Sequence, residues 1–274
     1  MKSTRSGGAI SDLESQVQPD WWRHIFNATY LTTDADIVGD PGILREEVDL
    51  ISDILEWSPQ DMILDLCCGQ GRHSLDLARR GFPNVTGLDY SRYLIQQAAA
   101  QSAREALHVR FVEGDARDLP YPPSTFDVTL ILGNSFGYFE TMHDDQQVLR
   151  EVFRILRPRG RLLLDIADGG YLRGNFQLRS WEWIDHEHLA CRERCLSRDQ
   201  QRLISREMVI HVEAGVIVDQ FYAQRLYTLD SLSQMLESAG LDIAFHRETS
   251  SPPRQDRDLG MMAKRLVITA VPHK

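Results

Sequence analysis

Two apolar periods divide the chain. Residues 20–57 carry apolar positions at helical spacing: Trp21, Trp22, Ile25 and Phe26, then Ile43, Leu44, Val48, Ile51, Ile54 and Leu55. The polar stretch TTDADIVGDPG between them ends in Pro41 and Gly42 and predicts a loop before a second helix. From Met62 onward, short apolar runs at 62–66, 84–88, 109–113, 126–132 and 161–167 alternate with helical segments at about 70–80, 91–103 and 143–156. Strands that alternate with helices predict a parallel sheet covered on both faces. Ser91 stands where it can cap the second of these helices, and Gly81 and Gly160 are placed as helix stops.

After Gly170 the texture changes. SWEWID, 188–196, REMVIHVE and VIVDQFYAQRLY are rich in β-branched and aromatic residues, and Met208, Ile210 and Val212 alternate with Glu207, His211 and Glu213. That alternation predicts half-exposed antiparallel strands, with a hairpin turn at Glu213-Ala214-Gly215. A helix at 229–239, capped by Thr228 and stopped by Gly240, precedes two last strands, LDIAFH and RLVITAV. No crossover helix separates this pair, so an antiparallel hairpin at one side of the sheet is expected. The predicted organisation is a disordered tail over 1–19, a helical cap over 20–57, an α/β core over 58–170 and 228–274, and an antiparallel β insertion over 171–227. The fold class is a three-layer, Rossmann-like α/β sandwich around a seven-stranded, mostly parallel sheet.

Composition narrows the partners. The 274 residues hold 30 basic and 40 acidic side chains, a formal charge of −10, which argues against a nucleic-acid groove or an anionic membrane as the main partner. Lysine occurs only at 2, 264 and 274, so no Walker-type phosphate loop exists. No apolar run is long enough to span a bilayer, the first residues lack the apolar segment of a secretion signal, and four cysteines suit a reducing cytoplasm.

The candidate chemistry sits in ILDLCCGQGRHSLDLA, residues 63–78, where an apolar run closes on Asp65 before a small-residue loop and a helix. Gly69 and Gly71 can take positive φ and let a ligand lie against bare backbone. Asp89 ends the second strand 24 residues further on, where an acid can accept hydrogen bonds from both hydroxyls of a ribose. Gly114-Asp115-Ala116 follows the third strand, and LRPRGRLLLDI leads into the fifth. In this order and spacing, and with the antiparallel ending, these features resemble the class I S-adenosylmethionine-dependent methyltransferases from about residue 58 to the end. Two positions depart from the family pattern: Cys67 replaces the first loop glycine, and Arg159 replaces a glycine before the fifth strand.

The resemblance implies S-adenosyl-L-methionine as cofactor and S-adenosyl-L-homocysteine as product. Asp65 would meet the methionine end, Asp89 the ribose and Asp115 with Ala116 the adenine; Cys67, Gly69, Gly71, Arg72, Tyr90, Gly133, Asn134 and Tyr30 complete the expected cofactor set. Arg72 could pair with the cofactor carboxylate or with a surface acid. Gly69-x-Gly71-x-x-Ser74 also nearly supplies a dinucleotide fingerprint, so an NAD(P)-dependent oxidoreductase is the alternative cofactor reading.

Methyl transfer is an in-line displacement that needs alignment first, and a base only where the acceptor must lose a proton early, as in many O- and C-methylations; a neutral amine needs none. His143, Tyr138 and His73 are the candidates by position, although His73 suits a helix-packing role and His143 a solvent-facing first turn. Phe136 and Phe139 could touch substrate or only pack. Trp21, Trp22 and Tyr30 could form a lid, or the tryptophans could staple the cap to the core. His186, His188, Cys191 and Cys195 resemble zinc ligands by type, but strand alternation turns the histidines and cysteines to opposite faces, and no metal is expected. The arginines of the insertion, interleaved with acids, read as a solvated face; inward ones would favour an anionic acceptor. The expected acceptor is a small metabolite methylated on N, O or C, with tRNA or protein as the alternative, and the insertion is a candidate homodimer contact.

Overall fold

The computed structural model describes residues 8–34, 39–250 and 264–273. The cap comprises α1 (Trp22–Ile25), α2 (Ala28–Thr33) and α3 (Pro41–Ile54). The core follows as β1 (Ile63–Leu66), α4 (Arg72–Arg79), β2 (Val85–Asp89), α5 (Arg92–Arg104), β3 (Arg110–Glu113), β4 (Phe126–Ile131), α6 (Met142–Ile155) and β5 (Leu156–Ala167). After α7 (Gly169–Asn175) the insertion forms β6 (Arg179–Trp183), β7 (His188–Leu196), β8 (Arg202–His211) and β9 (Gly215–Arg225). The chain returns through α8 (Leu229–Ser238) to β10 (Leu241–Ser250) and β11 (Lys264–Pro272).

Seven strands form one sheet in the order β10-β11-β5-β4-β1-β2-β3, and only β11 runs against its neighbours. The four insertion strands make a separate antiparallel sheet, β6-β7-β8-β9. Alternation along β1 sets the two faces of the core. Leu64 and Leu66 point into the cluster formed with α6 and α8, whereas Ile63 joins Val48, Ile51 and Leu55 under the cap and Leu77 of α4. Asp40 caps α3 by accepting from the amides of Gly42 (2.7 Å) and Ile43 (3.2 Å), with Pro41 preset in the first turn. The expected caps Ser91 and Thr228 are both made, the latter as a full capping box.

Three expectations need correcting. Gly160 is no helix stop: α6 ends at Ile155 and β5 begins at once, because Leu156 already pairs with Phe126. The stretch 8–19, placed in a disordered tail, holds a 3₁₀ turn at Glu14–Gln16 and buries Leu13 against Ile204 and Ala223; residues 1–7 lie outside the described residues. The insertion arginines do not all sit on a solvated face. Arg192, Arg194 and Arg206 are buried, and Arg206 is held by Asp219 at 2.7 and 2.8 Å.

Gly169, at the junction of core and insertion, marks a close approach of two backbones. A Cβ there would lie 2.4 Å from the carbonyl carbon of Leu226 and 2.6 Å from the carbonyl oxygen of Tyr227. Gly169→Ala should therefore destabilise the fold by about 3 kcal/mol, the upper range for overpacking, as read by denaturant melts.

Candidate active site

The strand order reverses at β1, which leads to β2 and β3 on one side and β4 and β5 on the other. Ligands of open α/β sheets bind outside the strand ends at such a reversal. A cleft lies there. Its walls come from the loops after β1 (Cys67, Gly69), β2 (Asp89 to Ser91), β3 (Gly114 to Ala116) and β4 (Ser135 to Phe139). The cap closes it with Trp22, Phe26 and Tyr30.

The turn after β1 explains the two cysteines. Cys67 adopts φ 62°, Gly69 φ 56° and Gly71 φ 76°, so the backbone enters the left-handed region three times before α4 starts. Cys67 holds a conformation that favours glycine and still lines the cleft. Cys68 turns inward and is buried. Burial pushes both thiols up, and the carboxylates of Asp89 and Asp65 add to the effect, so neither is a thiolate nucleophile at neutral pH.

Asp89 is the central polar group. One carboxylate oxygen accepts from the amide of Gly69 and the other from that of Ser91, each at 2.8 Å. Burial nevertheless pushes its carboxyl up to about 6. Asp115 is clamped by Arg117, which donates from Nε (3.0 Å) and Nη2 (2.7 Å). Burial would raise Asp115, but Arg117 overrides it and holds the carboxyl below its ordinary range. Arg117 also donates to Asp144 at 2.8 Å and lies 4.5 Å from the Phe139 ring centroid. Trp22 packs edge-on against Tyr90 (4.8 Å) and Phe139 (5.0 Å), so α1 ties two cofactor-side loops together across the cleft.

Of the residues expected at the cofactor, Cys67, Gly69, Asp89, Tyr90, Asp115, Ala116 and Tyr30 meet around this cleft, as does Tyr138. Asp65, Gly71, Arg72, Gly133 and Asn134 are not among its lining residues. The alternation of β1 puts Asp65 on the side of Ile63, under α4, where Ser74 Oγ donates to it at 2.6 Å and burial raises its carboxyl. Gly71 is packed from below: a Cβ would lie 2.6 Å from the Phe111 ring. Asn134 is buried, its side-chain amide donating to Gln224 Oε1 of β9 at 2.6 Å.

Arg72 and His73 belong to a cluster that the sequence did not reveal. Glu47 of α3 accepts from Arg72, sits 2.9 Å from His73 Nε2 and accepts from Arg265 at 3.2 Å; Arg265 also donates to Asp165 at 2.7 Å. Burial alone would raise Glu47, but His73 and Arg72 hold it far below the ordinary carboxylate range. His73 is thus a structural ligand of Glu47, and His143 is exposed on the first turn of α6. Phe136 packs on Tyr227 at 5.4 Å and also lines the cleft, which joins the two roles foreseen for it.

The cleft suits S-adenosylmethionine by charge. Asp89 and Asp115 are its charged lining groups among the described residues, the wrong sign for a pyrophosphate and the right one for a sulfonium, an ammonium and a ribose diol. Gly69 has open cleft where its Cβ would be, with Leu94 at 3.8 Å the nearest atom.

Comparison with known proteins agrees with the fold. Residues 63–160 match the family described as "Methyltransferase domain". Residues 63–160 are thus similar to a methyltransferase domain, in a fold of the class I S-adenosylmethionine-dependent type. A Bacillus subtilis protein provisionally named as a methyltransferase, YqeM, is 29% identical over 191 residues, 69% of this chain and 75% of that protein. Demethylmenaquinone methyltransferase of Lactococcus lactis is 39% identical over 104 residues, 37% of this chain and only 40% of that enzyme's length. The CcbJ methyltransferase of Streptomyces caelestis shares the fold at a TM-score of 0.71 and 17% identity, over 90% of this chain and 98% of that one.

Proposed function

We propose that the chain transfers the methyl group of S-adenosylmethionine to a small metabolite. The observation that carries this is the cleft itself, roofed by aromatic side chains of the cap and lined, among the described residues, by carboxylates without a cationic side chain. The formal charge of −10 runs against an RNA acceptor. The Lactococcus relative, which by its name acts on demethylmenaquinone, supports a small acceptor as well.

The bound cofactor supplies an electrophilic methyl on a sulfonium. Asp89 is proposed to accept the ribose hydroxyls while keeping its bonds to Gly69 and Ser91, and Asp115 with Ala116 to face the adenine. Cys67, Gly69 and Tyr90 form the remaining walls. Trp22 and Phe139 exclude water by closing over the site. Tyr30 and Tyr138 line the cleft and are proposed to orient an acceptor through their hydroxyls. Neither His73, engaged by Glu47, nor His143, in solvent, is offered as a base.

Label from methyl-tritiated cofactor should appear in the small-molecule fraction of an extract treated with the protein. Label confined to RNA or protein would refute the small-acceptor reading.

A second copy is the proposed partner of the insertion. The outer edge of its sheet is β6, where Trp181 is 67% and Trp183 56% exposed on one face, and a two-fold packing of that face against its copy would cover both. Light scattering should show a dimer that Trp181→Glu converts to monomer; a monomeric wild type would refute the proposal.

A further inference from the structure

Where the cap meets the loop after β4, three aromatic rings form a corner of the cleft. Phe26 stacks on Tyr138 at 5.7 Å and 24°, and meets Tyr30 edge-on at 5.2 Å. Trp21 backs the corner, 5.3 Å from Tyr138 and 5.8 Å from Tyr222 of the insertion. Burial pushes the hydroxyls of Tyr30 and Tyr138 above their ordinary range, with Asp34 acting on both in the same direction. Both phenols are therefore neutral in use. Among the described residues neither hydroxyl hydrogen-bonds to the protein, and both residues line the cleft. The guanidinium groups of Arg23 and Arg117 stack on Trp22, Tyr90 and Phe139, and neither residue lines the cleft. Arg192, on the insertion face that carries Tyr222, is neutralised by Glu182 and by Glu207 at 2.7 Å.

Resting on the methyltransferase reading above, we infer that the acceptor is an amine, held by the Phe26, Tyr30 and Tyr138 corner, and that the reaction is N-methylation. Aromatic faces attract cations and give little to an anion. A carboxylate or phosphate acceptor would find no cationic side chain lining the cleft among the described residues, because Arg117 is engaged by Asp115 and Asp144. An O- or C-acceptor that must lose a proton early would find neither a histidine nor a lysine lining the cleft among the described residues; an amine in its neutral form needs neither. Its N–H groups donate to the Tyr30 and Tyr138 oxygens, which leaves the lone pair free to point along the cleft. The lone pair forms the N–C bond as the S–C bond breaks, the S–C electron pair returns to sulfur, and the amine's proton leaves to solvent. Positive charge thus moves onto nitrogen, where the ring faces already stand.

The test is equilibrium binding to the protein saturated with S-adenosylhomocysteine, followed by calorimetry and tryptophan fluorescence. The probes are choline, its uncharged carbon isostere 3,3-dimethylbutanol, and the anion 3,3-dimethylbutanoate. Choline should bind at least about tenfold tighter than the alcohol, with the anion weakest. Tyr138→Phe should keep that preference and Tyr138→Leu lose most of it, with homocysteine-product affinity as the check that each variant is folded. Choline binding no tighter than its isosteres, absence of binding included, overturns the inference. Failure of S-adenosylhomocysteine to bind wild type would instead overturn the methyltransferase reading on which it rests.

Discussion

Asp89→Ala is expected to weaken S-adenosylhomocysteine binding by at least a hundredfold. Two charge-assisted hydrogen bonds to a ribose diol are worth about 1.5–3 kcal/mol each, and the substitution also strips the Gly69 and Ser91 amides of their acceptor. The same carboxylate sets the pH profile. In the free protein Asp89 sits at about 6 against an ordinary 3.8, so its contribution to folding is most favourable at acid pH and is lost as pH rises through 6. Hydroxyl donors lower it again, so binding near pH 6 should release protons. Affinity should be flat above about pH 7 and fall toward tenfold per unit below 6. Calorimetry in buffers of different ionisation heat reads the proton release directly. A pH-independent affinity would show that Asp89 does not hold the ribose.

Glu47→Ala should cost about 3 kcal/mol of folding stability, because it leaves the half-buried Arg72 and Arg265 beside the buried His73 without their shared carboxylate. The cluster joins the cap helix to α4 and to the start of β11, so its loss should loosen the cap as well. Denaturant melts measure the first effect, and amide exchange along α3 the second. The sign of the pH effect follows from the low carboxyl of Glu47. Its stabilisation is full above about pH 4.5, the ordinary value, and is lost progressively as pH falls toward the folded-state value. In Glu47→Ala this acid-side loss should be missing. A variant as stable as wild type would mean that the cluster is dispensable.

The sheet was legible because each strand announces itself by a short apolar run and each helix by its stripe. The single reversed strand followed from the missing crossover before RLVITAV. Two cleft-lining acids were legible for a related reason: Asp89 ends β2 and Asp115 stands two residues past the end of β3, and a strand end fixes where the following loop stands. Asp65 was harder, because strand alternation turns it under α4 rather than into the cleft, and that depends on which face each helix covers. Glu47 had left a signal. It lies four residues after Ile43 and four before Ile51, an acid on the buried stripe of an amphipathic helix, where a partner is obligatory. Its partners Arg72 and Arg265 are distant in sequence, and nothing local names them. The pairing of Gln224 with Asn134, which ties the insertion to the loop after β4, is hidden in the same way.

The most direct test of the whole account is one carbon-13 spectrum. Protein, cofactor labelled in its methyl carbon and the small-molecule fraction of a cell extract are incubated together, and the new methyl resonance is assigned. The account predicts an enzyme-dependent N-methyl signal in a small product, absent with Asp89→Ala. A labelled O- or C-methyl would correct the acceptor atom, whereas label in macromolecules alone, or no transfer from any fraction, would contradict the account at its centre.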